Sequence, residues 1–379
     1  MARIIVVEDL GRAEVRGQGG QSMRVLQVLE GLRRLGHDPI FLEFLPTQPD
    51  SSSIQYFAET INKWWRADRS ALVVESPLSS VFGLSIAEIE KAANEADAVL
   101  TIAAHYRPDF WPLVDQIRPR ILFEQDPGYT HIWAAGGDPA SIFGSHDIYF
   151  TVGANVGTSR SGIPTSGIQW HPLWNPVVLP WWSPGRPVER DRFTTIADWR
   201  GYGYLDFEGE SLGPKAEEFR KFIELPRLVG ESLELVLNIA PNDPDLELLG
   251  EQGWRVESPA LVWSPEMYRD YVSSCAGEFS CAKGGYVGTR SGWFSDRSAC
   301  YLAAGRPVIV QSTGFEDVLP TGEGLFAVSS AEEASEAIRA VRADYARHSR
   351  AASEIAREFF DSDTVMARML EVAGVTTRS

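Results

Sequence analysis

The sequence predicts an α/β protein built from two Rossmann-like, doubly wound domains that face each other across a cleft. Short apolar runs, typical of buried strands, alternate along the 379-residue chain with segments of helical periodicity. A chain of this length exceeds one ordinary hydrophobic core. The alternation breaks over residues 162–192, a stretch that contains Pro164, Pro172, Pro176, Pro180, Pro184 and Pro187. We therefore expect a linker there, with a parallel sheet on each side and ligands at the carboxyl ends of the strands.

The first domain is expected over residues 1–175. Its opening strand is residues 4–7, and a glycine-rich loop follows. A helix over 22–35 is predicted because Val25, Val28, Leu29 and Leu32 recur at helical spacing. Further strands are expected at 40–45, 98–103, 120–123 and 148–152. The polar, proline-containing stretch around 51–53 predicts an irregular excursion.

After the linker at 176–192, a second alternating series predicts a C-terminal domain over 193–352 and a closing helix within 353–379. Strands are expected at 193–197, 233–239, 277–281, 307–311 and 325–328. Helices are expected at 215–225, 265–274, 295–304, 331–348 and 353–370. Because the strands alternate with helices, the second sheet should also be parallel.

The formal net charge is −17, and so acidic a surface repels polyanions. We therefore expect no general nucleic-acid binding and no binding to anionic membranes, although a local basic cleft is compatible with this charge. Cys275, Cys281 and Cys300 are too few and too clustered for a disulfide framework, which favours a reducing compartment. We find no signal peptide and no apolar run near the roughly 20 residues that span a bilayer. A cytoplasmic protein without a membrane span is expected.

Residues 291–314 form the most informative segment, SGWFSDRSACYLAAGRPVIVQSTG. Ser295 and Asp296 suit a helix N-cap, Gly305 suits a C-cap, and Pro307 stops the helix. The free N–H groups and the dipole at the start of such a helix favour a phosphate. Arg290 and Arg297 bracket that start, so the segment predicts an anion site.

On this segment the chain resembles nucleotide-sugar glycosyltransferases of the GT-B architecture, of the glycogen-synthase-like type. Residues 3–39 are similar to the family's opening strand, glycine loop and helix, and residues 332–370 to its closing helices. The resemblance implies an acceptor site in the N-terminal domain, a donor site in the C-terminal domain and a transferase activity of class EC 2.4. The two glutamates of the commonest retaining version are replaced by Gly292 and Cys300.

The resemblance also implies that Arg200 and Lys215 form the basic pair after the linker, although their interval is longer than usual. Fixed cations stabilise the charge that grows on a leaving diphosphate. The turn that holds Gly314 and Glu316 would lie beside the donor sugar. The candidate donor-binding residues are Arg200, Lys215, Lys283, Arg290, Ser295, Asp296, Arg297, Ser298, Gly314 and Glu316. We expect Arg297→Ala to weaken nucleotide affinity far more than it alters folding.

Three residues of the first domain are candidate bases for an acceptor hydroxyl: Asp126, His105 and Asp9. The alternative for Asp126 is an Asp-Pro-Gly turn. The loop 9–20 either contacts a ligand or is a flexible surface loop. Asp361-Ser362-Asp363 spells a D-x-D motif that helix capping explains better than metal binding. We expect no metal and no permanently bound cofactor, with a nucleotide-sugar as co-substrate.

The sequence thus favours transfer of a sugar from a nucleoside-diphosphate donor, UDP or another nucleotide, to a small or medium-sized acceptor. Two alternatives stay open: a nucleotide-sugar epimerase or hydrolase on the same scaffold, and a non-catalytic protein that binds a sugar nucleotide or a glycan. The sugar, the nucleotide, the acceptor, the stereochemical course and the oligomeric state are not determined by these patterns.

Overall fold

The computed structural model describes residues 1–12, 14, 17–103 and 112–375 and divides the chain into two compact units. Unit 1 comprises Met1–Gly153, Pro164–Val178 and Asp361–Ser379; unit 2 comprises Ala154–Ile163 and Leu179–Phe360. The sequence-based boundaries differ from this division because they assign 154–163 to the first domain. What each domain binds, and the cleft between the domains, stay predictions.

Unit 1 contains an eight-stranded sheet in the order β4-β3-β2-β1-β5-β6-β7-β8. Its strands are β1 (Arg3–Val7), β2 (Asp38–Leu45), β3 (Ser70–Glu75), β4 (Leu78–Gly83), β5 (Ala98–Ile102), β6 (Arg120–Glu124), β7 (Ile148–Thr151) and β8 (Trp170–Pro172). Neighbours are parallel except β3 and β4, which are antiparallel. The central strands are mostly apolar because helices cover both faces of such a sheet, but Glu43 in β2 and Glu124 in β6 are buried among them.

Elements are numbered in chain order. The helices of unit 1 are α1 (Gly19–Arg34), α2 (Ser51–Trp64), α3 (Ile86–Asn94), α4 (Pro112–Asp115), α5 (Tyr129–Ala135), α6 (Pro139–Phe143) and, near the end of the chain, α15 (Ser362–Val372). Helix α15 packs closely on α1, and a Cβ at Gly31 would lie 2.9 Å from Met366 Cγ. Asp361 caps α15 by accepting from the Asp363 N–H at 3.1 Å, and Asp363 binds Arg34 at 2.7 Å. The two aspartates of the D-x-D motif therefore have structural roles: Asp361 caps α15, and Asp363 forms an ion pair with Arg34.

Unit 2 contains a six-stranded parallel sheet in the order β13-β12-β9-β14-β15-β16. Its strands are β9 (Arg190–Asp198), β12 (Glu234–Asn238), β13 (Arg255–Glu257), β14 (Cys275–Ser280), β15 (Val308–Gln311) and β16 (Leu325–Val328), and a separate hairpin is formed by β10 (Leu205–Phe207) and β11 (Glu210–Leu212). In order of appearance along the chain, the sheet reads 3-2-1-4-5-6. This is the dinucleotide-fold order, in which ligands bind where the order reverses, here between β9 and β14.

The helices of unit 2 are α7 (Lys215–Arg220), α8 (Leu225–Val229), α9 (Asp245–Glu251), α10 (Pro265–Ser274), α11 (Gly284–Gly288), α12 (Asp296–Ala303), α13 (Ala331–Ala343) and α14 (Tyr345–Ile355), followed by a π-helical turn at Ala356–Phe360. Phe193, Trp199, Phe219 and Phe279 form the aromatic centre of its core. The ring centroids of Trp199 and Phe219 lie 5.3 Å apart. Because Trp199 follows β9 and Phe219 belongs to α7, this contact holds α7 against the sheet.

The predicted α/β class and each strand named from the sequence are present, but four predictions need correction. The closing helix expected over 353–370 is interrupted, because a π-helical turn at Ala356–Phe360 follows α14 and Asp361 caps a new helix, α15. Residues 51–53 begin α2, because Asp50 accepts from the Ser53 N–H at 2.7 Å and caps it. The helix expected over 215–225 is two short helices. The helix expected over 331–348 breaks at Asp344, which ends α13 and caps α14. Among the described residues, no helix has the length and apolar character needed to cross a membrane.

Candidate functional site

A pocket in unit 2 lies at the carboxyl ends of β14 and β15 and at the start of α12. It is lined by Ser280, Cys281, Ala282, Trp293, Phe294, Ser295, Arg297, Ser298, Val310, Gln311 and Phe315. Its empty volume is about 240 Å³, mouth included.

Helix α12 begins as the sequence predicts. The Ser295 hydroxyl accepts from the Arg297 N–H at 3.3 Å, and Asp296 occupies the first turn. Gly305, at a φ of +68°, follows the helix end. Ser298 is 1% exposed and lines the pocket, and its hydroxyl has no hydrogen-bond partner among the described residues. The helix therefore presents N–H groups and one unsatisfied hydroxyl at the pocket, as an anion site requires.

Lys215 is the first residue of α7 and is 5% exposed. Within the described ranges, its ammonium makes no hydrogen bond and no ion pair. Burial, with the neighbouring charges of Arg297 and Lys283, lowers the pKa of Lys215 to about 7. A buried cation without a partner is costly, and such groups concentrate at functional sites.

Lys283 follows β14 and caps α11. Its Nζ lies 3.7 Å from the centroid of the Tyr202 ring and 5.5 Å from that of the Tyr286 ring. Tyr286 in turn stacks on Trp293, with ring centroids 4.4 Å apart. Trp293 lines the pocket, so Lys283 is connected to the pocket wall through a row of aromatic rings.

Arg297 is held inside unit 2 by three protein acceptors. Its Nε donates to Glu278 at 2.5 Å, its Nη1 to the Ile196 carbonyl at 2.8 Å and its Nη2 to the Ser280 hydroxyl at 2.9 Å. Glu278 is completely buried, so this is an ion pair removed from water. Since its donors serve the fold, we expect the loss of Arg297 to destabilise unit 2, contrary to the expectation that Arg297→Ala would spare folding.

Two other candidate cations are neutralised by carboxylates. Arg200 donates to Asp243 at 2.6 Å and to Asp245 at 2.7 Å, and these contacts raise its pKa. Arg290 binds Asp317 at 3.1 Å, and half of its side chain is exposed. The structure therefore brings together Lys215, Lys283 and Arg297, whereas Arg200 and Arg290 are engaged elsewhere on the surface. As donor-binding residues, all of the candidates stay predictions.

The predicted donor-sugar turn is organised by Asn155, which the sequence analysis missed. The Asn155 amide donates to the carbonyls of Arg290 and Gly314, each at 3.1 Å, and its backbone N–H donates to Ser291. Gly314 has a φ of +90°, and a Cβ there would lie 2.6 Å from the Asn155 amide nitrogen. No local pattern identifies Asn155, because its partners are more than a hundred residues away in sequence. Glu316 accepts from Ser312 within the turn.

We expect Asn155→Ala to lower the free energy of unfolding by about 1–3 kcal/mol, because the buried Gly314 carbonyl and the part-buried Arg290 carbonyl lose their donor. Urea unfolding followed by circular dichroism measures the change. Asn238→Ala is the matched control: Asn238 is exposed and donates to Asp198 at 3.2 Å, so its loss should cost less than about 0.5 kcal/mol. Equal losses in the two variants would contradict the role given to Asn155.

The candidate bases belong to unit 1. Asp9 follows β1 and binds Arg12 at 3.3 Å, and Asp126 follows β6 in the turn before α5. Both lie at the carboxyl ends of parallel strands, as predicted. His105 lies outside the described residues. Asp9, Asp126 and His105 stay predicted bases.

Two buried glutamates shape the loops that carry these aspartates. Glu43 accepts from the N–H groups of Gly11 and Arg12 at 2.7 and 2.8 Å. Glu124 accepts from Thr151 at 2.6 Å, from Thr130 at 2.9 Å and from the Asp126 N–H. Burial raises the pKa of each glutamate to about 8. The start of the glycine-rich loop is therefore anchored to the sheet.

The described residues include no group of three or more His, Cys, Asp or Glu side chains arranged to hold a metal ion. The three cysteines are buried free thiols, and burial raises the pKa of Cys275 to about 11. Metal independence stays a prediction.

No protein-family model and no curated protein matches this sequence. Solved structures match it along nearly its whole length. HepE of Anabaena, in complex with UDP and glucose, is 12% identical with a TM-score of 0.59, over 99% of this chain and 100% of that one. An alpha-glucosyltransferase in complex with UDP-glucose and DNA containing an abasic site is 11% identical with a TM-score of 0.61, over 98% and 99% of the two chains.

These matches correct one expectation. The alpha-glucosyltransferase is also solved with UDP and a 13-mer DNA containing a central A:G mismatch, at a TM-score of 0.55 and 12% identity, over 99% of this chain and 100% of that chain. The predicted small-molecule acceptor without general nucleic-acid binding is therefore wrong. The physical reason is that the net charge of a chain averages over its surface, whereas binding depends on local charge. At these identities the likeness shows the fold: this chain has the two-domain Rossmann-like fold of the GT-B glycosyltransferases.

Proposed function

We propose that the protein is a glycosyltransferase that uses a nucleotide-sugar as co-substrate and binds the donor diphosphate in unit 2. The observation that carries the proposal is Lys215, a buried residue whose ammonium makes no hydrogen bond or ion pair with the described residues and is close enough to Lys283 and Arg297 for their charges to lower its pKa. These cations belong to the region where the strand order reverses, and the start of α12 adds N–H donors there. The fold shared with proteins solved with UDP and UDP-glucose supports the same ligand class.

The chemistry follows from the charges. As the bond between the sugar C1 and the diphosphate oxygen breaks, its electron pair moves to the diphosphate, and Lys215 and Lys283 stabilise the added charge. A hydroxyl oxygen of the acceptor forms the new bond to C1 and gives up its proton. Asp9, Asp126 and His105 are the candidates to take this proton in an inverting reaction.

We propose that the reaction is independent of a metal ion. Divalent metals neutralise a leaving diphosphate in many transferases, and here fixed ammonium groups and helix N–H donors would take that role. Activity should therefore persist in excess EDTA. Loss of activity in EDTA that Mg²⁺ or Mn²⁺ restores would contradict metal independence but not the transfer reaction.

Thermal shift with UDP, GDP, ADP and TDP tests the site first. A nucleotide at 100 times its Kd stabilises the folded protein by about 2.7 kcal/mol. For a unit of this size, that corresponds to a rise in melting temperature of roughly 5–10 °C. A melting temperature unchanged by all four nucleotides would overturn the proposal.

Incubation with the matching sugar nucleotides tests the reaction, with hydroxyl acceptors that include duplex DNA. Sugar transferred to an acceptor supports the proposal. Conversion of the sugar nucleotide without an acceptor would instead indicate an epimerase or a hydrolase, and binding without turnover a non-catalytic protein. Asn238→Ala serves as the active control, since this surface residue contacts no proposed ligand group.

A further inference from the structure

Helix α7 carries a carboxylate one turn away from Lys215. Glu218 follows Lys215 by three residues and precedes Lys221 by three, so either lysine can reach it along the helix. Glu218 is 6% exposed and pairs with Lys221 at 2.7 Å, whereas the Lys215 ammonium makes no ion pair with the described residues. The lysine that Glu218 binds therefore decides whether the charge of Lys215 remains available to a ligand.

The surroundings of Lys215 favour the approach of a carboxylate. Burial and the charges of Arg297 and Lys283 lower the pKa of Lys215 to about 7, so its protonated form is destabilised. A buried ammonium gains free energy when an anion pairs with it. We therefore expect Glu218 to turn towards Lys215 unless other contacts hold it.

Gln311 supplies such a contact. It is the last residue of β15, is 4% exposed and lines the pocket. Its Nε2 donates to Glu218 Oε2 at 2.6 Å, and its Oε1 accepts from the Ala282 N–H at 3.1 Å. Both contacts fix the same orientation of the amide, because an ionised carboxylate only accepts and a backbone N–H only donates. The Gln311 side chain thus ties Glu218 to the end of β15.

The Gln311 contact is the stronger of the two that hold Glu218. Lys221 donates to the same carboxylate oxygen, but 55% of its side chain is exposed, and solvent screens such a pair. The amide contact is buried and charge-assisted. Because an amide is neutral, it satisfies the carboxylate without placing a further cation beside Lys215.

We propose that Gln311 is a positioning residue that acts through Lys215: its amide holds the Glu218 carboxylate at the end of β15 and leaves the Lys215 ammonium available to the donor diphosphate. The inference rests on the proposed function, because it assigns Lys215 to the diphosphate. It adds a role for Gln311 and Glu218, which the reaction itself does not use.

Calorimetric titration with UDP at pH 7 and constant salt tests the inference on the full-length protein. Gln311→Met keeps the length of the side chain and removes both amide contacts, so Glu218 can pair with Lys215. UDP binding should then weaken by about three- to thirtyfold, within the range of a charge-assisted contact. In a Glu218→Gln background, Gln311→Met should change the affinity by less than about twofold, because no carboxylate is left to neutralise Lys215.

The pH profile is a readout that a purely structural role would not change. A carboxylate beside Lys215 raises the pKa of its ammonium, which then stays protonated to higher pH. Between pH 6 and 8, the UDP affinity of Gln311→Met should therefore fall less steeply than that of wild type, since UDP ionises equally in both experiments. Parallel profiles would overturn the inference.

Wild-type affinity in Gln311→Met would also overturn it. The same loss with and without Glu218 would do so as well, since Gln311 would then act on the ligand directly or on the fold. If Gln311→Met fails to unfold cooperatively, Glu218→Gln is measured alone. This variant removes the carboxylate that the amide holds and should bind UDP at least as tightly as wild type, so a loss above threefold in the folded variant overturns the inference. If wild type binds no nucleotide, the proposed function fails as well, whereas UDP binding that ignores Gln311 removes this inference alone.

Discussion

Replacing Arg297 with methionine is expected to lower the free energy of unfolding by about 3–5 kcal/mol. Removal of the guanidinium leaves the fully buried Glu278 carboxylate without its cation. The Ile196 carbonyl and the Ser280 hydroxyl each lose a donor as well, although Ser280 still accepts from Thr195. One Glu278 oxygen already lacks a hydrogen-bond partner among the described residues, so no second donor replaces the guanidinium. Urea unfolding at pH 7 measures the change.

Arg347→Met is the matched control, because Arg347 pairs with Glu323 on the surface and both side chains are about half exposed. This variant should lose far less stability than Arg297→Met, because solvent screens an exposed pair. Adding Glu278→Gln to Arg297→Met should restore part of the loss, since the buried charge is then removed. A loss below about 1 kcal/mol in Arg297→Met would show that the ion pair does not stabilise unit 2.

In contrast to Arg297→Met, Lys215→Met is expected to weaken nucleotide binding and to stabilise the empty protein. It should weaken UDP binding by about ten- to a hundredfold, because a charge-assisted contact to the diphosphate is lost. It should also raise the melting temperature of the empty protein, since a buried ammonium without a partner is replaced by an apolar chain of similar length. Functional groups that are held at the expense of stability behave in this way.

The pH dependence gives a second measurement of the same residue. Burial, together with Arg297 and Lys283, lowers the pKa of Lys215 to about 7, so the protonated fraction falls as the pH rises through 7. UDP binding that requires the ammonium should therefore be about tenfold weaker at pH 8 than at pH 6. The free energy of unfolding of the empty protein changes with pH in the opposite direction to the UDP affinity. The unfolded chain keeps the proton up to its normal lysine pKa, so the empty protein becomes more stable above pH 7.

Lys215→Met separates these effects from titration of the ligand. UDP ionises equally in both experiments, so the variant should show a flatter affinity profile between pH 6 and 8. Parallel profiles for wild type and Lys215→Met would mean that another group titrates. A lower melting temperature in the variant would mean that Lys215 has a stabilising partner.

Local patterns predicted much of the secondary structure. Helix α12 was correct to within a residue at each end because its caps, Ser295 and Gly305, are adjacent to it in sequence. Most of the buried strands were recognisable because their apolar runs are continuous, although β3 (Ser70–Glu75) was not predicted. The break between α13 and α14 at Asp344 was not recognisable from the sequence. Asp344 interrupts an otherwise uniform helical pattern at a single residue, with a φ of −144° and a ψ of 67°. The hairpin β10–β11 was missed because its strands are three residues each.

By itself, the sequence determined the α/β class, most of the strands and the caps of α12, since each depends on residues within a few positions of one another. Only the tertiary structure decided which cations remain available for an anion. Arg200, Lys215 and Arg297 are alike as isolated basic residues, but Asp243 and Glu278 are distant in sequence from the arginines that they neutralise. Lys215 is buried and forms no ion pair with a carboxylate in the described part of the chain. The charge available to a ligand depends on these non-local neighbours and on burial, which folding alone brings about.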